Sequence, residues 1–299
     1  MKRRDFMNLT TLAAGTAALA SLPGTAQTPP AAPADPAWVQ LTKDIRTTRV
    51  GFGTGMRGWE RQSDMTRAGW PKSIELLRFA YDHGVRLFDC ADLYGTHTVV
   101  AEALKGKPRD SYVLVSKLWL RSGGLPEMER LDPAITVKRF LRELKTQYID
   151  VVQIHCMSDA KWTQDFAGAM ESLAKLKQEG VIRAHGISSH ANSATEHAAA
   201  TDWCDVVHVR LNSEGFNMDG HRDDAARRVE EGVHAARQVH NAGKGVICMK
   251  VLGEGKMADK PDLRQKSAKF ISKLDCVSTM IVGFSEKEHI TEFLGHVAS

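Results

Sequence analysis

Several features are scarce or missing in this 299-residue sequence, and each absence removes a class of protein. The five cysteines, Cys90, Cys156, Cys204, Cys248 and Cys276, lie far apart. They form neither a Cys-x-x-Cys metal pair nor a dense disulfide framework. Each sits in or beside a short apolar run, which reads as free thiols serving as small hydrophobes. No long basic run occurs, and 40 Lys and Arg against 36 Asp and Glu leave a net charge of +4. That argues against a nucleic-acid partner. No apolar stretch reaches the ~20 residues a membrane-spanning helix needs. The sequence has 12 histidines but no His-Glu-x-x-His zinc helix, and no Walker phosphate loop. No metal site is therefore expected. What remains is ordinary: 42% hydrophobic and 25% charged residues, enough for one large core and too apolar for a disordered chain.

The first 26 residues stand apart. Lys2, Arg3 and Arg4 precede a weakly apolar stretch from Leu9 to Leu22, and a Pro-Gly break leads to Gly24-Thr25-Ala26. This is the layout of a secretory signal peptide. Arg3-Arg4 followed by Asp5-Phe6-Met7 resembles the twin-arginine signal of bacteria, an address for exporting folded proteins to the periplasm. The expected partner is that translocation machinery, with no stable membrane anchor. Residues 27–37 are a Pro/Ala linker without core-forming side chains. Without this leader, basic residues exceed acidic ones by only two.

From residue 38 to 299, short β-rich runs alternate with longer segments of helical period. Candidate strands are Arg49–Gly53, Arg86–Ala91, Tyr112–Lys117, Asp150–Cys156, Arg183–Ser188, Val206–Leu211, Gly245–Val251 and Met280–Phe284. Most are near-continuous apolar runs, the pattern of strands buried on both faces of a parallel sheet. Helical segments are Ser73–Gly84, Ile135–Lys145, Phe166–Gly180, Arg227–Gly243, Leu263–Leu274 and Glu286–Val297. In the first of these, Ile74, Leu77, Phe79 and Tyr81 are expected near one face. Eight strand–helix units in about 260 residues predict an α/β fold, a (β/α)8 TIM barrel. The longest loops, Gly55–Pro71, Trp119–Pro133 and Asn212–Asp224, all follow strands and so rim the C-terminal face, where barrel enzymes keep their active sites.

Polar residues at strand ends are the functional candidates. Asp89 and Tyr94 follow the second strand, Lys117 ends the third and His155 ends the fourth. Asp, Tyr, Lys and His in this order, on these strands, resemble the catalytic tetrad of the aldo-keto reductase family. The likeness spans the chain from Arg49-Val50-Gly51-Phe52-Gly53-Thr54-Gly55 to the last helix. It implies an NAD(P)H-dependent oxidoreductase that reduces an aldehyde or ketone to an alcohol. A tyrosine hydroxyl, with an ordinary pKa of about 10, is a weak acid at neutral pH. A nearby ammonium at Lys117 is expected to stabilise its phenolate, Asp89 to keep that ammonium charged, and His155 to orient the carbonyl oxygen.

The same resemblance places the nucleotide, NADP with NAD as the alternative, on Gly53, Thr54, Ser188, Ser189, His208, Met249, Lys250, Ser285 and His289. Several depart from the family pattern. Ser189 stands where Asn is usual, His208 where Gln is usual, and Met249 where an aromatic ring often lies. Gly283 and His289 take the places of the Lys and Arg that often meet a 2′-phosphate. Trp59 and Trp119 are candidates for an apolar substrate wall. Two rivals differ in class: an exported, catalytically silent barrel acting as a binding or scaffold protein, and a metal hydrolase.

Overall fold

The computed structural model describes residues 37–298. The leader and residues 27–36 of the linker lie outside the described residues. Eight parallel strands close into a barrel: β3 (Val50–Gly53), β4 (Leu87–Asp89), β5 (Val113–Leu118), β6 (Ile149–Met157), β7 (Ile182–Ser189), β8 (Val206–Arg210), β9 (Gly245–Met249) and β10 (Thr279–Val282), with β10 hydrogen-bonded back to β3. This is the expected (β/α)8 barrel. Every strand lies within two residues of its predicted bounds at each end.

Each strand is apolar on both faces because each face is buried differently. Alternate residues turn inward. Leu87, Val113, Val115, Val151, Ala184, Val206 and Ile247 fill the barrel interior. Phe88, Leu114, Val152, Ile154, Ile187 and Val207 pack outward with the helices in the larger core. Following the inward face toward the strands' C-terminal ends, the residues become polar. Val115 is succeeded by Lys117, Leu87 by Asp89, Gln153 by His155, and Val206 by His208 and Arg210. The two-residue period thus delivers the charged groups to one end of the barrel.

The surrounding helices are α1 (Asp64–Arg67), α2 (Trp70–Asp82), α3 (His97–Ala103), α4 (Pro133–Leu144), α5 (Trp162–Asp165), α6 (Ala167–Gln178), α7 (Asn192–Ala200), α8 (Ala225–Asn241), α9 (Pro261–Ser272) and α10 (Lys287–Ala298). Local chemistry sets several starts. Asp132 caps α4 by accepting from Ala134 N at 2.8 Å, with Pro133 in the first turn. Asp224 caps α8 through Arg227 N at 3.0 Å. Ser63 and Thr66 form a capping box on the short α1, so a helical turn interrupts the loop expected over Gly55–Pro71.

Helix α2 starts at Trp70 rather than Ser73 and buries Ser73, Leu76, Leu77, Ala80 and Tyr81. Ile74 and Phe79 only flank the core, because the buried face follows the i, i+3, i+4 period from Ser73. Helices α3 and α7, and a hairpin of β1 (Trp38–Thr42) and β2 (Ile45–Thr48), carry no clear periodic signal in the sequence. The hairpin inserts Leu41 and Ile45 into the interior cluster and so closes the barrel end opposite the polar ends of the strands. Burying two such side chains contributes about 1.5–3 kcal/mol each.

Candidate active site

At the polar end of the barrel, Lys117 Nζ donates to Asp89 Oδ1 at 2.5 Å and to the Cys90 carbonyl at 3.0 Å. Both side chains are almost completely buried. Neither charge is stable alone in such a place, so each is the condition for the other. Burial pushes the Asp89 carboxyl up, but the Lys117 ammonium and then His208 outweigh it and hold it below its ordinary value.

Tyr94 follows in a single helical turn, Asp92–Tyr94, that the left-handed Gly95 ends. Its ring lies against backbone that only glycine permits. A methyl group at Gly55 would come within 2.2 Å of Tyr94 Cε2, and one at Gly58 within 2.4 Å of Tyr94 Cδ1. The Tyr94 hydroxyl lies 3.4 Å from His155 Nε2, with the two rings edge to face at 5.6 Å.

The Lys117 ammonium sits 5.1 Å from the centre of the Tyr94 ring rather than at its hydroxyl, its donors engaged by Asp89 and Cys90. The expected depression of the tyrosine pKa is therefore not the leading effect here. Burial, followed by the negative charge of Asp89, pushes the phenol well above its ordinary value. Tyr94 is held as a neutral proton donor. Burial, then Lys117, pushes His155 well below the usual histidine range. It is a neutral imidazole whose Nδ1 is buried without a hydrogen-bond partner. The structure thus brings Asp89, Tyr94, Lys117 and His155 together.

A cavity of about 520 Å³ opens beside them. Asp89, Tyr94 and Lys117 line it together with Gly53, Thr54, Met249, Lys250, Ser285 and His289. The three other residues expected at the nucleotide face elsewhere. Ser188 Oγ accepts from Cys156 N at 2.9 Å. Ser189 is turned toward α7: its hydroxyl accepts from Thr195 at 2.8 Å and donates to the Ala191 carbonyl. Its short side chain is satisfied by the helix it precedes. His208 Nε2 lies 3.2 Å from Asp89 Oδ1, within ion-pair distance but without a hydrogen bond's alignment. Burial holds its imidazole below the ordinary value although Asp89 pulls it up. His208 therefore belongs to the Asp89–Lys117 group.

Sequence reasoning missed the lining residues Arg264 and Glu292, which pair at 2.8 Å, and the pairing of Lys250 with Glu254 at 2.8 Å. These partners come from the loop after β9, from α9 and from α10, so only the folded chain brings them together. Trp59, Trp119 and His155 form a chain of edge-to-face rings, 5.9 Å and 5.5 Å between centres. Of the two tryptophans anticipated as a substrate wall, Trp119 packs on His155 and Trp59 packs on Trp119. Among the described residues, no group of three or more His, Cys, Asp or Glu is placed to hold a metal ion.

A closed parallel barrel thus brings buried Asp89, Lys117 and His155 and half-buried Tyr94 together at its C-terminal end. Residues 49–269 match the family model described as the aldo/keto reductase family, and the chain belongs to it. It is 31% identical over 156 residues to an uncharacterized oxidoreductase, YqkF, of Bacillus subtilis, covering 50% of this chain and 47% of that protein. It is 29% identical over 143 residues to methylglyoxal reductase DkgB of Salmonella typhi, covering 46% and 50%. The chain thus spans about half the length of these curated relatives. A putative aldo-keto reductase from Pseudomonas aeruginosa superposes with a TM-score of 0.68 at 22% identity, over 87% of this chain and 94% of that one. An aldo/keto reductase from Klebsiella pneumoniae, solved with NADP and acetate, gives 0.63 at 21% identity over 88% and 90%.

Proposed function

We propose that this chain reduces an aldehyde or ketone with NADPH or NADH, with Tyr94 as general acid, and that it does so after export to the periplasm. One observation carries the reading. A neutral tyrosine hydroxyl, on a half-buried ring, lies 3.4 Å from a neutral imidazole, at a cavity that the Lys117–Asp89 pair also lines.

The cavity suits a dinucleotide by its donor set. Met249 offers an apolar surface near the reacting end, and Lys250, Arg264, Ser285 and His289 place cations and donors further along. When bound, a reduced nicotinamide supplies the hydride. This chain's residues do the rest. The Tyr94 hydroxyl and His155 Nε2, 3.4 Å apart, would both donate to the carbonyl oxygen and so orient it. Tyr94 Oη then gives up its proton to the oxygen as negative charge develops there. The Lys117 ammonium, held by Asp89 at 5.1 Å from the centre of the Tyr94 ring, would act on the phenolate left behind through the ring rather than by a bond to its oxygen. Trp119 excludes water from one side.

Relatives support the reading. One is a methylglyoxal reductase, and aldo-keto reductases from Klebsiella pneumoniae were solved in complex with NADP and with NADPH. Fluorescence titration with NADPH and NADH in parallel, followed by oxidation of the bound nucleotide by a panel of aldehydes, tests it. Saturable binding with aldehyde-dependent oxidation is expected, NADPH binding more tightly. Binding of neither nucleotide returns the chain to the scaffold reading.

A further inference from the structure

Two arginines stand close to Cys156, the residue that follows His155, and do not line the cavity. Arg121 lies in the loop after β5, two residues beyond Trp119, and Arg210 ends β8. Neither lines the cavity beside Tyr94. Both act electrostatically on the Cys156 thiol and on the His190 imidazole. Cys156 is the residue after His155, and its Sγ lies 3.2 Å from His190 Nδ1, which also accepts from Arg210 Nη2. The cations therefore gather at the Cys156–His190 contact, one residue along the strand from His155.

Their own hydrogen bonding is incomplete. Arg121 Nη2 donates to Ser158 Oγ at 2.8 Å, and among the described residues no carboxylate lies within ion-pair distance of Arg121. Arg210 Nη1 reaches Asp219 only at 3.3 Å. The Nε of each arginine is buried with no hydrogen-bond partner, as is His155 Nδ1. Buried donors are normally satisfied, and two orphaned guanidinium donors in one place point to a missing acceptor. Burial, followed by Arg210, Lys250 and Arg121, pushes His190 down to about 2, so the imidazole adds no charge there and offers Arg210 only an acceptor. The backbone marks the same spot. Cys156 has a left-handed φ of 69°, at a register shift in β6 between Ile154 and Met157, a conformation that surrounding structure must impose.

We propose that Arg121 and Arg210 form an oxyanion subsite, and that the carbonyl substrate carries a carboxylate or phosphate. The guanidinium fork matches either group. The carbonyl end meets Tyr94 and His155, the short carbon chain lies against Trp119, and the acid reaches the arginines. This rests on the reductase reading.

The test compares matched substrates with the full chain: 4-oxobutanoate against its methyl ester, glyceraldehyde 3-phosphate against glyceraldehyde, and benzaldehyde as a neutral reference. At least a tenfold kcat/KM preference for the anion is expected in one pair, and the preferred pair identifies the group. In Arg121→Gln and Arg210→Gln that preference falls about ten- to a hundredfold through KM, as loss of a charge-assisted hydrogen bond predicts. Arg210→Lys, which keeps charge without the fork, recovers part of it. Equal turnover of charged and neutral members overturns the proposal. So does a loss of nucleotide affinity in the arginine variants, which would assign them to the cofactor. If benzaldehyde too is inert, the reductase reading fails by itself. Quenching of tryptophan emission by succinate then decides the anion subsite, and no saturable quenching sinks it.

Discussion

At the residue scale, Tyr94 has one job that phenylalanine cannot do. Its ring is fixed by Gly55, Gly58 and the cation of Lys117, and all of these contacts survive loss of the hydroxyl. Tyr94→Phe is therefore expected to fold normally and to bind nucleotide with nearly unchanged affinity. Its kcat should fall about 10²- to 10⁴-fold, the usual worth of a positioned general acid. Turnover near that of the parent would show that the proton comes from elsewhere. Lys117→Met behaves differently. It leaves Asp89 buried without its ammonium, so both activity and thermal stability fall, the latter by about 3–5 kcal/mol. A melting temperature equal to the parent's would mean that His208 compensates for the lost charge. The sequence makes this group legible because Asp, Tyr, Lys and His stand in that order at successive strand ends, where they resemble the aldo-keto reductase tetrad. It does not make Ser189 legible. Whether that hydroxyl faces the nucleotide or its own helix depends on Thr195, six residues on and one helical turn away.

At the scale of elements, the strands are readable and the short helices are not. A strand buried on both faces writes a continuous apolar run, whereas α3 and α7 are short and, like the β1–β2 hairpin, are held by tertiary contacts more than by their own period. Helix α3 shows what those contacts are. His97 Nδ1 lies 2.7 Å from Glu143 Oε2 on α4, and His97 Nε2 2.7 Å from Ser116 Oγ on β5. Glu143 also accepts from Arg139 at 2.8 Å, Arg139 reaches Asp92 at 2.7 Å, and Asp92 holds Arg61 at 2.9 Å. One ionic chain thus ties α3, α4 and β5 to the turn that carries Tyr94. Burial pushes the Glu143 carboxyl up, but His97 and then Arg139 overcome it and bring it down to about 2. A carboxyl lowered on folding contributes stability above its unfolded value of about 4.3, and loses it as pH falls toward the folded value. The parent's stability should therefore decline from about pH 4.3 toward pH 2. Glu143→Gln is expected to be less stable at neutral pH by roughly 1–3 kcal/mol and to decline less steeply in that acid window. Parallel pH–stability curves for the two would remove Glu143 from this role.

At the scale of the whole molecule, barrel closure joins distant parts of the chain. Strand β10 pairs with β3, and Arg49 just before β3 donates to the carbonyls of Ile271, Ser272 and Leu274 at 3.0, 2.9 and 3.0 Å. The Thr279 hydroxyl reaches back to the Thr48 carbonyl, 231 residues away in sequence. Such long-range pairing is slow to form and cannot complete before the last strand is made. The cavity draws on both ends as well, with Gly53 and Thr54 from one and Ser285 and His289 from the other, so the proposed nucleotide site is complete only in the closed barrel. A reductase used outside the cytoplasm has no free NADPH supply there and must bring its nucleotide along. Folding, loading and only then crossing the membrane is the order that a twin-arginine address serves, which is the argument for reading Arg3 and Arg4 in that way. Replacing both by lysine, Arg3→Lys with Arg4→Lys, should keep the positive charge and yet leave the protein in the cytoplasm on cell fractionation. The parent recovered from the periplasm should release about one nucleotide per chain on denaturation. Export of the lysine variant at the parent's level would remove the twin-arginine route. Periplasmic protein free of nucleotide would separate export from reduction, leaving a barrel that is carried out without the means to turn over.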